Sequence, residues 1–166
     1  MSRPHMYLGV DPGMSGGMAA VTADGTGAYV SMPATERDVW EWFRQLAYEH
    51  AHPSGLATTT FAVIEKVHAM PGNGVSGMFK FGQSYGFLRA CLIAAGIPFE
   101  EVTSQRWQKA LNITPRDKRG GETSTQFKNR LKARAQQLFP NAKVTLATAD
   151  ALLLAEFCRR KCEGKL

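Results

Sequence analysis

Several features that would place a protein in a specialised class are scarce in this sequence of 166 residues. The three cysteines, Cys91, Cys158 and Cys162, are an odd number without the spacing of a disulfide framework, and no nearby histidine completes a zinc site. The longest apolar runs, such as 92–97 and 151–155, are far too short to span a bilayer, and the first residues carry no secretory signal. These absences predict a protein with reduced thiols, in the cytoplasm, that does not enter a membrane.

Positive charge is the first feature that is present in excess. Twenty lysines and arginines against 14 aspartates and glutamates leave a net charge of +6, with a pI near 9.4. Such a surplus favours polyanionic partners, because each phosphate that a protein neutralises releases condensed counterions. The length and the hydrophobic fraction of 44% fit one substantial core, so we expect residues 1–166 to form a single domain.

Two periods of hydrophobic residues alternate along the chain. Apolar or β-branched runs bounded by turn residues predict five strands, at 7–11, 16–22, 28–32, 59–67 and 97–102. Helical spacing predicts five helices, at 35–49, 78–95, 103–111, 125–139 and 148–161, with a glycine-rich loop at 71–77. Three hairpin strands followed by βα units predict an α/β fold: a five-stranded mixed sheet, its first three strands antiparallel, with helices on both faces.

Three carboxylates interrupt apolar segments, where a charge is costly unless it is paired or bound to a metal. Asp11 ends the first strand, Glu65 breaks the fourth, and Asp150 stands at the start of the last helix. Each has an ordinary structural alternative. Asp11 is also a suitable turn residue before Pro12. Glu65 can pair with Lys66 or with a neighbouring strand, and Asp150 can simply favour the N-terminus of its helix.

Taken together, the three acids predict a site for divalent cations. Carboxylates are the hard oxygen ligands that Mg²⁺ or Mn²⁺ prefers, and two ions about 4 Å apart can serve an in-line phosphoryl displacement. If the first and fourth strands are neighbours, Asp11 and Glu65 lie side by side, and a helix across that edge delivers Asp150. We therefore predict that these acids converge on one metal pocket, with Mg²⁺ as the cofactor and Mn²⁺ able to replace it.

Six segments, in order along the chain, resemble one known family. They are GVDPGMSGGMAAV at 9–21, IEKV at 64–67, FKFGQSYGFLRA at 79–90, TSQRWQKAL at 103–111, the segment 128–140 ending in QLFP, and ADALLLAEF at 149–157. This ordered set resembles the RuvC-like Holliday junction resolvases of the ribonuclease-H-like superfamily, most closely their phage and chloroplast branches. The resemblance implies a ribonuclease-H-like fold and a structure-selective endonuclease that resolves four-way junctions and other branched DNA by paired, two-metal hydrolysis.

The resemblance also implies roles for particular residues and a partner for the chain. Asp11, Glu65 and Asp150 match the family's catalytic metal-binding acids. Lys128 matches a basic residue that contacts the reacting phosphate region, and a solvated helix face is its structural alternative. A four-way junction has approximate two-fold symmetry, so two matched nicks favour a C2 homodimer. By analogy with the family the interface lies on the helix at 78–95, although a helix buried within one chain would show the same pattern.

One position departs from the family. An acid or a histidine usually lies three or four residues before the helix aspartate, whereas this chain has Ala147 and Leu146 there. Glu156 is no substitute, because six residues at about 100° each place it on a different helix face from Asp150. Either three carboxylates and water suffice, or the protein is catalytically weakened or inactive.

Two further regions are candidates for DNA contact. The segment 116–134 is strongly basic, and its candidates for phosphate contact besides Lys128 are Arg116, Lys118, Arg119, Arg130, Lys132 and Arg134. The basic residues at 159–161 can extend this surface or simply complement a helix C-terminus. In the family the loop after the fourth strand feeds an apolar side chain into the opened junction. Met70 and Phe79 are the candidates here, although such residues are more often core.

Three other functions share some of these features. A DPG turn followed by small residues also resembles the phosphate-binding hairpin of actin-like ATPases and sugar kinases, but those proteins need a second such domain, which 166 residues cannot hold. A ribonuclease H acting on RNA–DNA hybrids shares the acidic constellation. A branched-DNA-binding module that keeps the fold without efficient cleavage is consistent with the missing fourth ligand.

Overall fold

The computed structural model describes residues 4–49, 59–68 and 74–166. The strands are β1 (Met6–Asp11), β2 (Gly17–Thr22), β3 (Gly27–Ser31), β4 (Thr60–Glu65) and β5 (Phe99–Val102). The helices are α1 (Glu36–Glu49), α2 (Val75–Ala94), α3 (Ser104–Ala110), α4 (Ser124–Leu138) and α5 (Leu146–Cys162). Each predicted strand and helix is present in the predicted order, with ends that differ by a few residues.

The start of α2 corrects the predicted glycine-rich loop. The helix begins at Val75 instead of Met78, so residues 75–77 of that loop are helical. Gly77 costs a helix roughly 1 kcal/mol relative to alanine. The cost is overcome because a helix that has already formed gains one hydrogen bond for each residue by which it extends. The glycine content predicts a loop here, but it carries no information on the 20-residue helix that begins at Val75.

The five strands form one sheet in the order β3-β2-β1-β4-β5. β2 pairs with β1 and with β3 in antiparallel fashion, as hairpin connections require, whereas β1 with β4 and β4 with β5 are parallel. The prediction of a mixed sheet whose first three strands are antiparallel is confirmed. β1 and β4 are neighbours, which is the condition on which the predicted acid site depends.

Side chains of the sheet alternate between two hydrophobic cores, one on each face. Leu8 and Val10 of β1 lie in the core that α1 and α2 cover, and Tyr7 lies in the core that α3, α4 and α5 cover. The prediction of helices on both faces is therefore confirmed. Asp11 follows Tyr7 at an even interval along the strand and hence faces the α3–α5 side.

The helix α5 lies directly on β1 because β1 has a glycine at the crossing point. A Cβ atom at Gly9 would be 2.1 Å from the backbone oxygen of Ala151 and 2.3 Å from the backbone nitrogen of Ala155. The close approach of two backbones therefore requires glycine at this position. Although much of α5 is buried, no helix within the described ranges has the length and apolar content needed to cross a membrane.

Candidate functional site

The register of the sheet places two of the predicted acids next to each other. In the parallel pair of β1 and β4, Val10 is opposite Ile64, and the residues that follow are Asp11 and Glu65. Both face the α3–α5 side, because Val63, two residues before Glu65, lies in the core on that side. Strand order and side-chain alternation thus bring these acids together at the carboxyl ends of two central strands.

The first turns of α5 carry Asp150 across the same edge of the sheet. A Cβ atom at Gly17, the residue of β2 that is paired with Asp11, would be 2.7 Å from the backbone oxygen of Ala147. One turn later, the backbone of α5 touches Gly9. Asp150 lies between these two points of contact and therefore close to the end of β1.

The three acids repel one another in a poorly solvated pocket. Burial raises the pKa of Asp11 well above its ordinary value, and the charges of Asp150 and Glu65 raise it further. Burial also raises the pKa of Asp150 to about 6, with an additional contribution from Glu65. Lys128, an exposed residue of α4, lowers the pKa of both aspartates and is therefore within electrostatic reach of both. Such mutual perturbation in one place is typical of a functional site.

These carboxylates are ligands of the type that a divalent cation prefers, although their side chains are not arranged around a single ion in the structure. In the part of the chain that the structure describes, no three His, Cys, Asp or Glu side chains are arranged to hold one ion together. Mg²⁺, however, is commonly bound by one or two carboxylates, with substrate phosphate and water completing its shell. Burial, followed by the charges of the neighbouring carboxylates, raises the pKa of Asp11 and of Asp150, and a bound cation would offset both effects.

The position that departs from the RuvC-like pattern supplies no donor side chain in the structure. Ala147 is half-buried with its backbone against β2, and Leu146 is 45% exposed. Neither side chain can coordinate a cation. This position therefore adds no ligand to Asp11, Glu65 and Asp150.

The basic residues at the end of α5, which could either extend the basic surface or complement the helix C-terminus, form ion pairs within the chain. Arg159 and Arg160 both bond Glu156, whose side chain is buried. Lys161 contacts Glu100 of β5. Glu156 thus serves this cluster and, as expected, not the acid pocket.

Glu65 is held by two hydrogen bonds that sequence reasoning missed. Ser104, the first residue of α3, donates its hydroxyl hydrogen to Oε1 of Glu65, and Nε1 of Trp107 donates to Oε2 at 3.2 Å. These contacts arise because Val102 of β5 is opposite Glu65 and α3 begins two residues later. The short connection between β5 and α3 was the available signal, but Ser104 and Trp107 look like a helix start and a core aromatic.

The predicted basic surface divides into fixed and free side chains. Arg130 is fixed: two of its nitrogens bond Glu122 at 3.1 Å, a third donates to the backbone oxygen of Thr114 at 2.9 Å, and the group stacks on Phe127. Arg116 donates to the backbone oxygen of Glu122 at 2.9 Å. Arg130 thus attaches the polar loop before α4 to that helix, and Arg116 makes a contact within the loop; both contacts are structural.

The remaining basic side chains of this segment are available to a partner. They are Lys118, Arg119, Lys132 and Arg134. Lys118 and Arg119 are exposed, and none of the four forms an ion pair with another residue in the described ranges. Arg134 donates to the side-chain oxygen of Gln137 at 3.3 Å. Free cations therefore remain on the segment that carries Lys128.

The two predicted wedge residues have different outcomes. Met70 lies outside the described residues, and Phe79 is on the surface of α2 with 65% of its area exposed. The nearby Phe81 packs against the turn after β1, where a Cβ atom at Gly13 would be 3.0 Å from its ring. The first half of α2 therefore lies beside the turn that follows Asp11, and Phe79 is exposed on the surface of this helix.

Comparison with known proteins identifies the fold. No protein-family model matches the chain, and no curated protein matches it in sequence. A structure of T. thermophilus RuvC in complex with Holliday junction substrate matches over 96% of both chains, with 15% identity and a TM-score of 0.59. A second Thermus thermophilus RuvC structure matches over 96% of this chain and 97% of that one, with 16% identity and a TM-score of 0.58. The fold is RuvC-like, of the ribonuclease-H-like type.

Proposed function

Because the chain has the RuvC-like fold, we propose that it is a metal-dependent endonuclease that resolves four-way (Holliday) junctions and other branched DNA. The observation that carries the proposal is the meeting of Asp11, Glu65 and Asp150 at one edge of the sheet, with raised pKa values at both aspartates. Poorly solvated carboxylates that repel one another cost stability, and such costs are concentrated at functional sites. The structural neighbour that was solved with a Holliday junction substrate adds support.

In this proposal Asp11, Glu65 and Asp150 hold Mg²⁺, which Mn²⁺ can replace. Bound divalent cations supply a nucleophilic hydroxide and neutralise charge on the phosphate and on its leaving 3′ oxygen. The chain itself keeps the carboxylates in place, because two central strands and a helix packed on glycine hold their backbones. Lys128 adds positive charge at the exposed side of the pocket, where it stabilises the charge that develops on the reacting phosphate.

The DNA backbone follows the free basic side chains beside the acids. The proposed phosphate contacts are Lys118, Arg119, Lys132 and Arg134. Contacts of this kind set the position of the DNA and read no sequence. Arg130 supports the surface by holding its loop to α4, and Arg116 supports it by a contact within that loop. Phe79, with Met70 as a second candidate, enters the junction centre, where unstacked bases accept an apolar side chain.

We also propose a C2 homodimer that is built on α2. Only three residues of this largely apolar helix are buried. Its outward stripe has helical spacing and consists of Val75, Gly82, Gly86 and Ile93. A Cβ atom at Gly82 or Gly86 would meet no atom within 4 Å, so a second helix can approach closely. An exposed apolar stripe of this length is typical of an interface.

The dimer is tested by placing charge in the stripe. Gly86→Glu together with Ile93→Asp should give a monomer in sedimentation velocity, whereas Lys143→Glu, a charge change at an exposed position outside α2, should leave the dimer intact. A doubly substituted protein that remains a dimer would remove α2 from the interface.

A second candidate function is a branched-DNA-binding module of the same fold with weak or no cleavage. Its specific support is Ala147, which supplies no ligand, together with the absence of a ready-made three-ligand cation site among the described side chains. The two candidates use the same DNA surface and differ in cation binding and cleavage.

One assay separates these functions. A labelled four-way junction, a linear duplex and an RNA–DNA hybrid are incubated with Mg²⁺ or Mn²⁺. Paired symmetric nicks in the junction support the resolvase, cleavage of the hybrid indicates a ribonuclease H, and tight binding without cleavage indicates the binding module. Asp11→Asn should abolish nicking and leave salt-sensitive binding in place, whereas Glu41→Gln, at a surface acid of α1, is the matched control and should preserve both.

Two narrower expectations stay predictions. The closer resemblance to the phage and chloroplast branches rests on the sequence segments alone. The free thiols of Cys91, Cys158 and Cys162 fit a reducing cytoplasm, which is where we propose that the protein acts.

A further inference from the structure

We propose that the first turn of α3 positions the Glu65 carboxylate for cation binding, through hydrogen bonds from Ser104 and Trp107. The inference rests on the proposed function, because it concerns how one of the three acids is held. Each oxygen of Glu65 accepts one bond, Oε1 from the Ser104 hydroxyl and Oε2 from Nε1 of Trp107 at 3.2 Å. Both donors act through Glu65 and are therefore positioning residues.

Trp107 is suited to this task because the hydrophobic core fixes its ring. The residue is 1% exposed and shares the core on the α3–α5 side with Val102 and Leu131. An indole has one N–H donor and no acceptor, so Glu65 occupies the only hydrogen bond that this nitrogen can make. A donor held by packing keeps the carboxylate in one orientation before a cation arrives, which is how a supporting shell prepares a site.

The two bonds leave Glu65 able to bind a cation. An ionised carboxylate accepts at about four positions, and the two donors occupy only two of them. The two donors place polar hydrogens against Glu65, and Lys128 lowers the pKa of the neighbouring Asp11 and Asp150. Removing the partners that orient a metal ligand typically lowers metal affinity about 10- to 100-fold.

Cation binding by the protein alone tests the proposal without requiring activity. Trp107→Phe removes the N–H group and keeps an aromatic ring in the core, and Ser104→Ala removes the hydroxyl. In calorimetric titrations with Mn²⁺, each variant should bind about tenfold more weakly or worse, and Ser104→Thr should restore the parent affinity. Trp42→Phe, on the opposite face of the sheet, is the matched control and should bind like the parent. Equal affinity in the parent and in Trp107→Phe would overturn the inference.

The indole resonance of Trp107 in a ¹H–¹⁵N spectrum tests the contact independently of any cation. The signal is assigned by its loss in Trp107→Phe. It should move in Glu65→Gln and stay in place in Glu101→Gln, an acid of β5 that pairs with Arg89 instead. A signal that does not move in Glu65→Gln would overturn the inference and leave the proposed function standing. If the signal moves but the parent shows no Asp11-dependent Mn²⁺ binding, the proposed cation site fails, and the positioning role fails with it.

Discussion

Removing the charge of Asp150 should stabilise the cation-free protein while abolishing the cleavage proposed for it. Burial and the charge of Glu65 raise the pKa of Asp150 from 3.8 to about 6. A raised pKa means that the native state binds more protons than the unfolded state between these two values. The free energy of unfolding therefore falls as the pH rises from about 4 to about 6, and it stays low above that range.

The size of the effect follows from the shift. A pKa shift of roughly two units corresponds to about 3 kcal/mol of lost stability when Asp150 is ionised, at about 1.4 kcal/mol per unit. Relaxation of the pocket reduces this figure. We expect Asp150→Asn to raise the free energy of unfolding by about 1–3 kcal/mol near pH 8 and by much less near pH 4.5. Because asparagine keeps the shape and polarity of the side chain, the gain in the free energy of unfolding measures the cost of the Asp150 charge.

Urea unfolding across this pH range, followed by circular dichroism with EDTA present, measures the effect. Asp24→Asn is a control of opposite sign: hydrogen bonds from Thr22 and Thr26 lower the pKa of Asp24 to about 2, so its loss should reduce stability at neutral pH. Mg²⁺ should stabilise the parent more than Asp150→Asn. If Asp150→Asn is no more stable than the parent near pH 8, the charge of Asp150 is not unfavourable in the native state, and the three acids do not form the strained site on which the proposed function depends.

Three further predictions concern the fold, the missing ligand and the basic surface. Gly9→Ala should lower the free energy of unfolding by more than about 3 kcal/mol, because the new Cβ would lie 2.1 Å from a backbone oxygen of α5. The control Gly77→Ala places its Cβ in open space and should be neutral or stabilising. Similar unfolding temperatures for the two variants would show that α5 and β1 do not require glycine where they cross. Ala147→Asp should raise Mg²⁺-dependent junction cleavage, and no gain over the parent would count against matching α5 to the family's last helix. Lys118→Ala with Arg119→Ala should reduce the slope of log K against log salt by about 2 in anisotropy titrations with a junction, at unchanged thermal stability; an unchanged slope would exclude both from the DNA surface.

The sequence by itself determined which elements form and which residues are chemically unusual. The apolar runs of β1 and β4 are a local pattern, and the carboxylates that interrupt or end them, Glu65 and Asp11, are visible in the same pattern. The pairing of β1 with β4 entered the sequence analysis only as the condition under which Asp11 and Glu65 lie side by side, and the observed strand order meets that condition. The start of α2 was placed too late, because glycine content outweighed the helix that follows.

Only the tertiary structure decided the partners of the charged side chains. Arg130 and Lys118 are two cations of one basic segment in the sequence, yet folding brings Glu122 against Arg130 and leaves Lys118 exposed. Trp107 reads as a core aromatic, although its nitrogen reaches Glu65, 42 positions away. These ion pairs and hydrogen bonds require atoms of distant segments to lie within a few ångströms of each other. The hydrophobic periodicity of a strand or helix is local and carries no information on such distances. The acids of the site were therefore predictable by residue type, whereas the side chains that hold them were not.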